Sequence, residues 1–159
     1  MDLDSAVAAW VLGQLSPGHV QQFAWDGQAA GYDGPALRTL AAYEWSTWRD
    51  VNDLFEQAVR EMGLRVPTRD EAARLLARNI AAAITSGERD PYDGAGELAA
   101  LYFAAGYAGF LSDFVVLADS YDVFPDRRAG INREIVAAAT ALLHKVARAG
   151  HRQSAQPHG

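Results

Sequence analysis

The sequence predicts an all-α fold: a compact single-domain bundle of six to eight helices, in antiparallel pairs around a central apolar helix. Three observations predict it. Apolar residues recur at three- and four-residue spacing in most segments. Ser-Pro, Asp-Pro and Thr-x-x-Glu signals stand where those segments start, and glycines where they stop. The strict apolar–polar alternation of a half-buried strand is absent. Connections are short, so successive helices are expected to be antiparallel neighbours.

The first helix is expected over Asp4 to Leu15, with Leu3, Val7, Val11 and Leu15 four apart and Trp10 beside them. Ser16-Pro17 stops it and opens the second, Ser as N-cap and Pro at the first helical position. That helix carries Val20, Phe23 and Ala24 and ends near Gly31. Asp33-Gly34-Pro35 opens a third with Leu37, Leu40 and Ala41, fraying around Trp45-Ser46-Thr47. In the fourth, Val51, Leu54, Phe55, Ala58, Val59 and Met62 keep helical spacing without a miss, and Gly63 suits the left-handed residue after its end. Thr68 to Glu71 is a capping box for the fifth, which runs through Ala72, Leu75, Leu76, Ile80, Ala83 and Ile84 to Gly87.

Asp90-Pro91 opens the sixth helix, which leads into Leu98 to Ala118, where Asp113 is the only charge. A stretch apolar on all sides is expected to be buried on all sides. It is long enough to span a bilayer, but Gly106, Gly109, Ser112 and Asp113 interrupt it, and a charge in a bilayer costs at least about 2.5 kcal/mol. It reads better as two helices with a break between Gly106 and Gly109, the second running through Phe114 to Ala118. Ser120 to Pro125 is expected as a loop. The last helix starts near Pro125 or Asp126 and carries Ile131, Ile135, Val136, Ala139, Leu142, Leu143 and Val146. The domain is expected over 1–149, followed by a disordered polar tail over 150–159.

Charge is uneven. Residues 1–66 hold four Arg against nine Asp and Glu, and 67–126 hold four against ten, so this body is near −11. Residues 127–159 hold six Arg and Lys against one Glu, near +5. An acidic body argues against nucleic acid as the main partner and is compatible with a basic protein. The basic end, Arg127 to Arg152, is the one feature that favours nucleic acid. Cysteine is absent, which suits a reducing cytoplasm, and the N-terminus lacks the basic start of a secretory signal. The cytoplasm is therefore the expected location. Abundant alanine, and arginine in preference to lysine, is the bias of a high-GC bacterial genome.

Sequence motifs for chemistry are few. His19, His144, His151 and His158 are far apart, with no metal-binding spacing, and no phosphate or nucleophile motif is present. No cofactor or metal is expected, and no catalytic residue is assigned. Asp113, Asp119, Asp122 and Asp126 form the best polar constellation, read as a solvated acidic loop in preference to a cation site, with Arg127 or Arg128 as compensating cation. Asp113 is read as the cap of the following helix, with Ser112 competing, in preference to a carboxylate in a pocket. Trp10, Trp25, Trp45 and Trp48 all lie in the first third. Trp, Tyr and Arg dominate interface hot spots. Tyr43, Glu44, Trp48 and Asp50 at the third junction, with Tyr121 and Asp122, are the expected partner-binding residues. Trp48 also falls on the stripe of Val51 and Phe55, so a core role stays open. Tyr92-Asp93 repeats the Tyr121-Asp122 pair.

Three pieces carry a resemblance: Leu37-Arg38-Thr39-Leu40-Ala41, then Leu54-Phe55 with Ala58, Glu61 and Gly63, then Gly87 with Pro91, Gly94 and Ala95. Over residues 5 to 145 the chain resembles small helical actinobacterial proteins of the toxin-immunity type. The resemblance implies a helical fold and a protein partner, and no catalytic residue. The expected function is a non-enzymatic protein-binding module, most concretely an immunity-type inhibitor of a bacterial toxin. The alternative is a small-molecule-binding or hydrolytic helical protein with a carboxylate pocket around Asp113.

Overall fold

A computed structural model describes residues 2–42 and 48–153; for Trp48, Asp50 and residues 148–153 it describes the backbone alone. Among these residues the protein is all-α, with eight α-helices and no strand. They are α1 (Leu3–Val11), α2 (Val20–Ala29), α3 (Pro35–Ala42), α4 (Trp48–Glu61), α5 (Arg69–Ser86), α6 (Pro91–Ala104), α7 (Ser112–Val123) and α8 (Arg128–Gln153). Single 3₁₀ turns precede α2, α7 and α8. The chain falls into two compact units, Met1–Ala72 and Ala73–Gly159. The expected fraying at Trp45 to Thr47 and the last six residues of the expected tail lie outside the described residues.

In the first unit α2 packs on α3, α3 on α4, and α1 on α2. Val7, Val20, Phe23, Leu37, Leu40, Val51, Phe55 and Val59 are buried. The Phe55 ring is the hub: Phe23 lies 4.6 Å and Trp10 5.4 Å from it, centroid to centroid. Trp10 Nε1 donates to Asn52 Oδ1 at 3.0 Å, which lets an indole pack at the core edge without a lost hydrogen bond. The α4 stripe is buried as its spacing predicts, with Leu54 half-exposed.

α1 is shorter than expected. Leu12 closes it, and Gly13 at φ +70° turns the chain so that its N–H reaches Trp10 C=O and Gln14 N–H reaches Ala9 C=O. Only glycine takes that left-handed conformation freely. Leu15 is still buried, but in the connection. Ser16 does not cap the backbone after it; its Oγ lies 2.6 Å from His19 Nδ1.

In the second unit α6, α7 and α8 each touch the other two. Ile131, Ile135, Ala139 and Leu142 form the buried stripe of α8, and Ala73, Ala77, Ala81 and Ile84 that of α5. Three expectations change here. Leu98 to Ala118 does break at Gly106, whose φ of +75° ends α6, but it is not buried all round. α6 buries one face, Gly94, Ala95, Leu98 and Leu101, and leaves Phe103 exposed; Tyr107 and Val116 are exposed too. Once the run is cut in two, each short helix has an inside and an outside, whatever its composition. The loop expected from Ser120 is the last turn of α7, which continues to Val123. α8 passes Gly150 and reaches Gln153, because one glycine costs a helix only about 1 kcal/mol and does not by itself stop it.

Candidate functional site

The Tyr-Asp pairs come together. Asp90 caps α6 by accepting from Tyr92 N–H at 2.9 Å and Asp93 N–H at 3.3 Å, and this fixes Tyr92 in the first turn. Tyr121 and Asp122 sit in the last turn of α7. Because α6 and α7 pack together, the start of one meets the end of the other. The Tyr92 and Tyr121 rings stack at 4.2 Å and 20°, and Tyr92 Oη donates to Asp122 Oδ1 at 2.8 Å. That carboxylate holds the Tyr92 phenol above its usual 10.0. Arg128, at the start of α8, lies over the Tyr121 ring at 4.9 Å and donates from Nε to Tyr121 C=O at 3.2 Å. A cation there satisfies one of the open carbonyls at the end of α7. Neither arginine takes the expected role of pairing with Asp119: Arg128 is held by Tyr121, and Arg127 lies 5.8 Å over Phe124.

This arrangement changes the meaning of Tyr121 and Asp122. The Tyr121 ring and carbonyl and one Asp122 carboxylate oxygen form a clasp that joins three helices. Tyr43 and Glu44 lie outside the described residues; Trp48 and Asp50 begin α4, their side chains undescribed.

Asp113 stands exposed in the first turn of α7 and makes no cap; α7 has no side-chain cap at all. Ser112 Oγ instead donates back to Gly109 C=O at 2.9 Å. Asp119, Asp122 and Asp126 are also exposed. No group of three or more His, Asp or Glu among the described residues could hold a metal ion. An open cleft in the first unit is lined by Asp2, Asp4, Asp26 and Tyr32, among others, and two of these carboxylates, Asp2 and Asp26, are hydrogen-bonded within the protein. Partial burial works against the Asp2 charge, and hydrogen bonds from Ser5 N–H and Oγ outweigh it and lower its pKa. Gln22 binds Asp26.

The unengaged surface lies elsewhere. Phe103 is 55% exposed, Tyr107 69%, Val116 64% and Val123 64%. Phe103, Tyr107 and Tyr102 form a cluster of edge-on rings 5.1 to 5.8 Å apart. Tyr107 holds φ +66°, a strained value for a side-chain-bearing residue, and its N–H bonds Tyr102 C=O at 2.8 Å. Along α7, Asp113, Val116, Asp119 and Val123 follow three- and four-residue steps and all face water. Sequence reasoning passed over these apolar residues because an uncharged run reads as core. The available signal was the valine placed between two aspartates at helical spacing. Among the described side chains of the first unit, Trp25 is a tryptophan 48% exposed. No helix among the described residues is long and apolar enough to cross a membrane. Compared with protein-family models, curated proteins and solved structures, the chain shows no significant match to any of them.

Proposed function

We propose that this chain is a non-enzymatic protein-binding module, most concretely an immunity-type inhibitor that covers a basic bacterial toxin in the cytoplasm. One observation carries the reading. Residues 91–123 hold five carboxylates and no Arg, Lys or His, and Phe103, Tyr107, Val116 and Val123 stand more than half exposed on the same two helices and the turn between them. Exposed apolar groups among charges of one sign mark a surface that a partner covers. Such carboxylates steer a cationic partner and fix its register. The resemblance to toxin-immunity proteins supplies the class of partner. Tyr43, Glu44, Trp48 and Asp50 remain part of the proposed contact set, and Tyr121 and Asp122 enter it as the clasp that holds α7 in place.

The test is co-expression. The protein encoded beside this chain is expressed alone and together with it. Growth arrest by the neighbour alone, relieved when both are present, is expected. Unaffected growth, or arrest that persists with both proteins in the cell, rejects the inhibitor reading.

A further inference from the structure

We infer that the outer stripe of α7 is the seat of one cationic amphipathic helix of a partner protein; the inference rests on the protein-binding reading and specifies its site. α7 turns Phe114 inward and Asp113, Val116, Asp119 and Val123 outward. On a helix these four span roughly 15 Å, close to three turns. Their order is carboxylate, valine, carboxylate, valine. Asp122 is engaged by Tyr92, whereas Asp113 and Asp119 have no hydrogen-bond or ion-pair partner among the described residues. Phe103 and Tyr107 are exposed where the chain passes from α6 to α7.

The chemistry selects the occupant. The charges of the outer stripe itself are all carboxylates, which repel phosphate and acidic membrane surfaces, while Arg127 and Arg128 beyond its end lie over Phe124 and Tyr121. An added strand has nothing to pair with, because the backbone of a helix is already hydrogen-bonded. The seven-residue spacing of Val116 and Val123 is the two-turn repeat of a helix and matches apolar residues at i and i+7 on a facing one. Arg or Lys three or four positions away would reach Asp113 and Asp119. A second copy would have to offer α8, which carries Arg128, Arg133, Lys145, Arg148 and Arg152 but, among the described residues, no large exposed apolar side chain to meet Val116 and Val123.

The probe is a labelled synthetic peptide of about 18 residues, with Leu at i, i+3, i+4 and i+7 and Arg or Lys between, against a scrambled peptide of the same composition. Both are titrated into the full chain by fluorescence anisotropy, and sedimentation follows its oligomeric state. The patterned peptide should bind at least about tenfold more tightly than the scramble. Val116→Ser with Val123→Ser should remove that preference while the circular dichroism stays helical. Asp113→Asn with Asp119→Asn should weaken the patterned peptide and flatten its salt dependence. Equal binding of both peptides overturns the seat and leaves attraction of basic partners standing. No binding of either peptide, or serine variants that bind like the parent, also overturns it. So does a dimer that the serine variants dissociate, which would make a second copy the occupant. Co-expression keeps the two ideas apart. Rescue by the serine variants removes the seat and spares the inhibitor reading, whereas failure of the parent chain to rescue removes that reading.

Discussion

Glu71 shows how one carboxylate serves several donors. Its Oε2 accepts from Thr68 N–H at 2.9 Å and from Thr68 Oγ1 at 3.1 Å, Glu71 N–H reaches Thr68 Oγ1 at 3.3 Å, and Arg65 donates to its Oε1 at 2.7 Å. The Arg65 hydrogen bond, then that of Thr68 N–H, pulls the carboxyl from 4.5 down to about 2. A folded-state pKa below the unfolded value stabilises the fold above the unfolded pKa, and the contribution is lost as pH falls through the folded one. The Glu71 contribution should therefore be whole at neutral pH, fade below about 4.5 and be gone below about 2. A side-chain carboxyl titration by NMR should place its midpoint near 2, and Arg65→Gln should move it up towards 4.5. A parent midpoint at 4.5 would remove the pairing. The capping box was legible because Thr68 and Glu71 keep a fixed spacing. Arg65 was not, because no spacing rule carries a side chain across the turn at Pro67.

At the scale of the element, α3 is capped from a distance. Its sequence start, Asp33-Gly34-Pro35, suggested a local signal, yet Asp33 pairs with Arg38 at 3.1 Å and leaves the helix end open. Glu61, in the last turn of α4, accepts from Ala36 N–H at 3.1 Å and is held by Gln57 Nε2 at 2.8 Å. Gly34 makes room, since a Cβ there would collide with the Glu61 carboxylate. A carboxylate at a helix N-terminus satisfies an open donor and complements the dipole. Glu61→Ala should cost about 1 kcal/mol in urea unfolding, as for other lost caps. A loss below about 0.3 kcal/mol would show that solvent replaces Glu61 at no cost. α7 teaches the complementary lesson. Its existence was legible from Phe114 to Ala118, but its last turn was not, because Ser120, Asp122 and Pro125 look like loop chemistry. Tyr121 and Asp122 stay helical while Tyr92 and Arg128 hold them.

At the scale of the whole molecule, burial separates roles that composition merges. Leu101 and Phe114 are 0% and 2% exposed, while Phe103 and Val116, two positions from each, face water. Leu101→Ala or Phe114→Ala should each cost about 2 to 5 kcal/mol in chemical unfolding, and a cost below about 1 kcal/mol would misplace the core. Local pattern was enough for the all-α class, most helix starts and stops, the buried stripes of α4 and α8, and the acidic character of residues 1–126. These rest on local spacing, on glycine and proline geometry and on charge, all of which act within a few residues or survive any arrangement of the chain. Packing in three dimensions was needed to set which side of α6 and α7 faces water, to pair the Tyr92 hydroxyl with an Asp122 oxygen, and to bring Glu61 to the start of α3. Each of these depends on residues distant in sequence becoming neighbours, and a uniformly apolar run carries no mark of which of its faces the neighbours will cover.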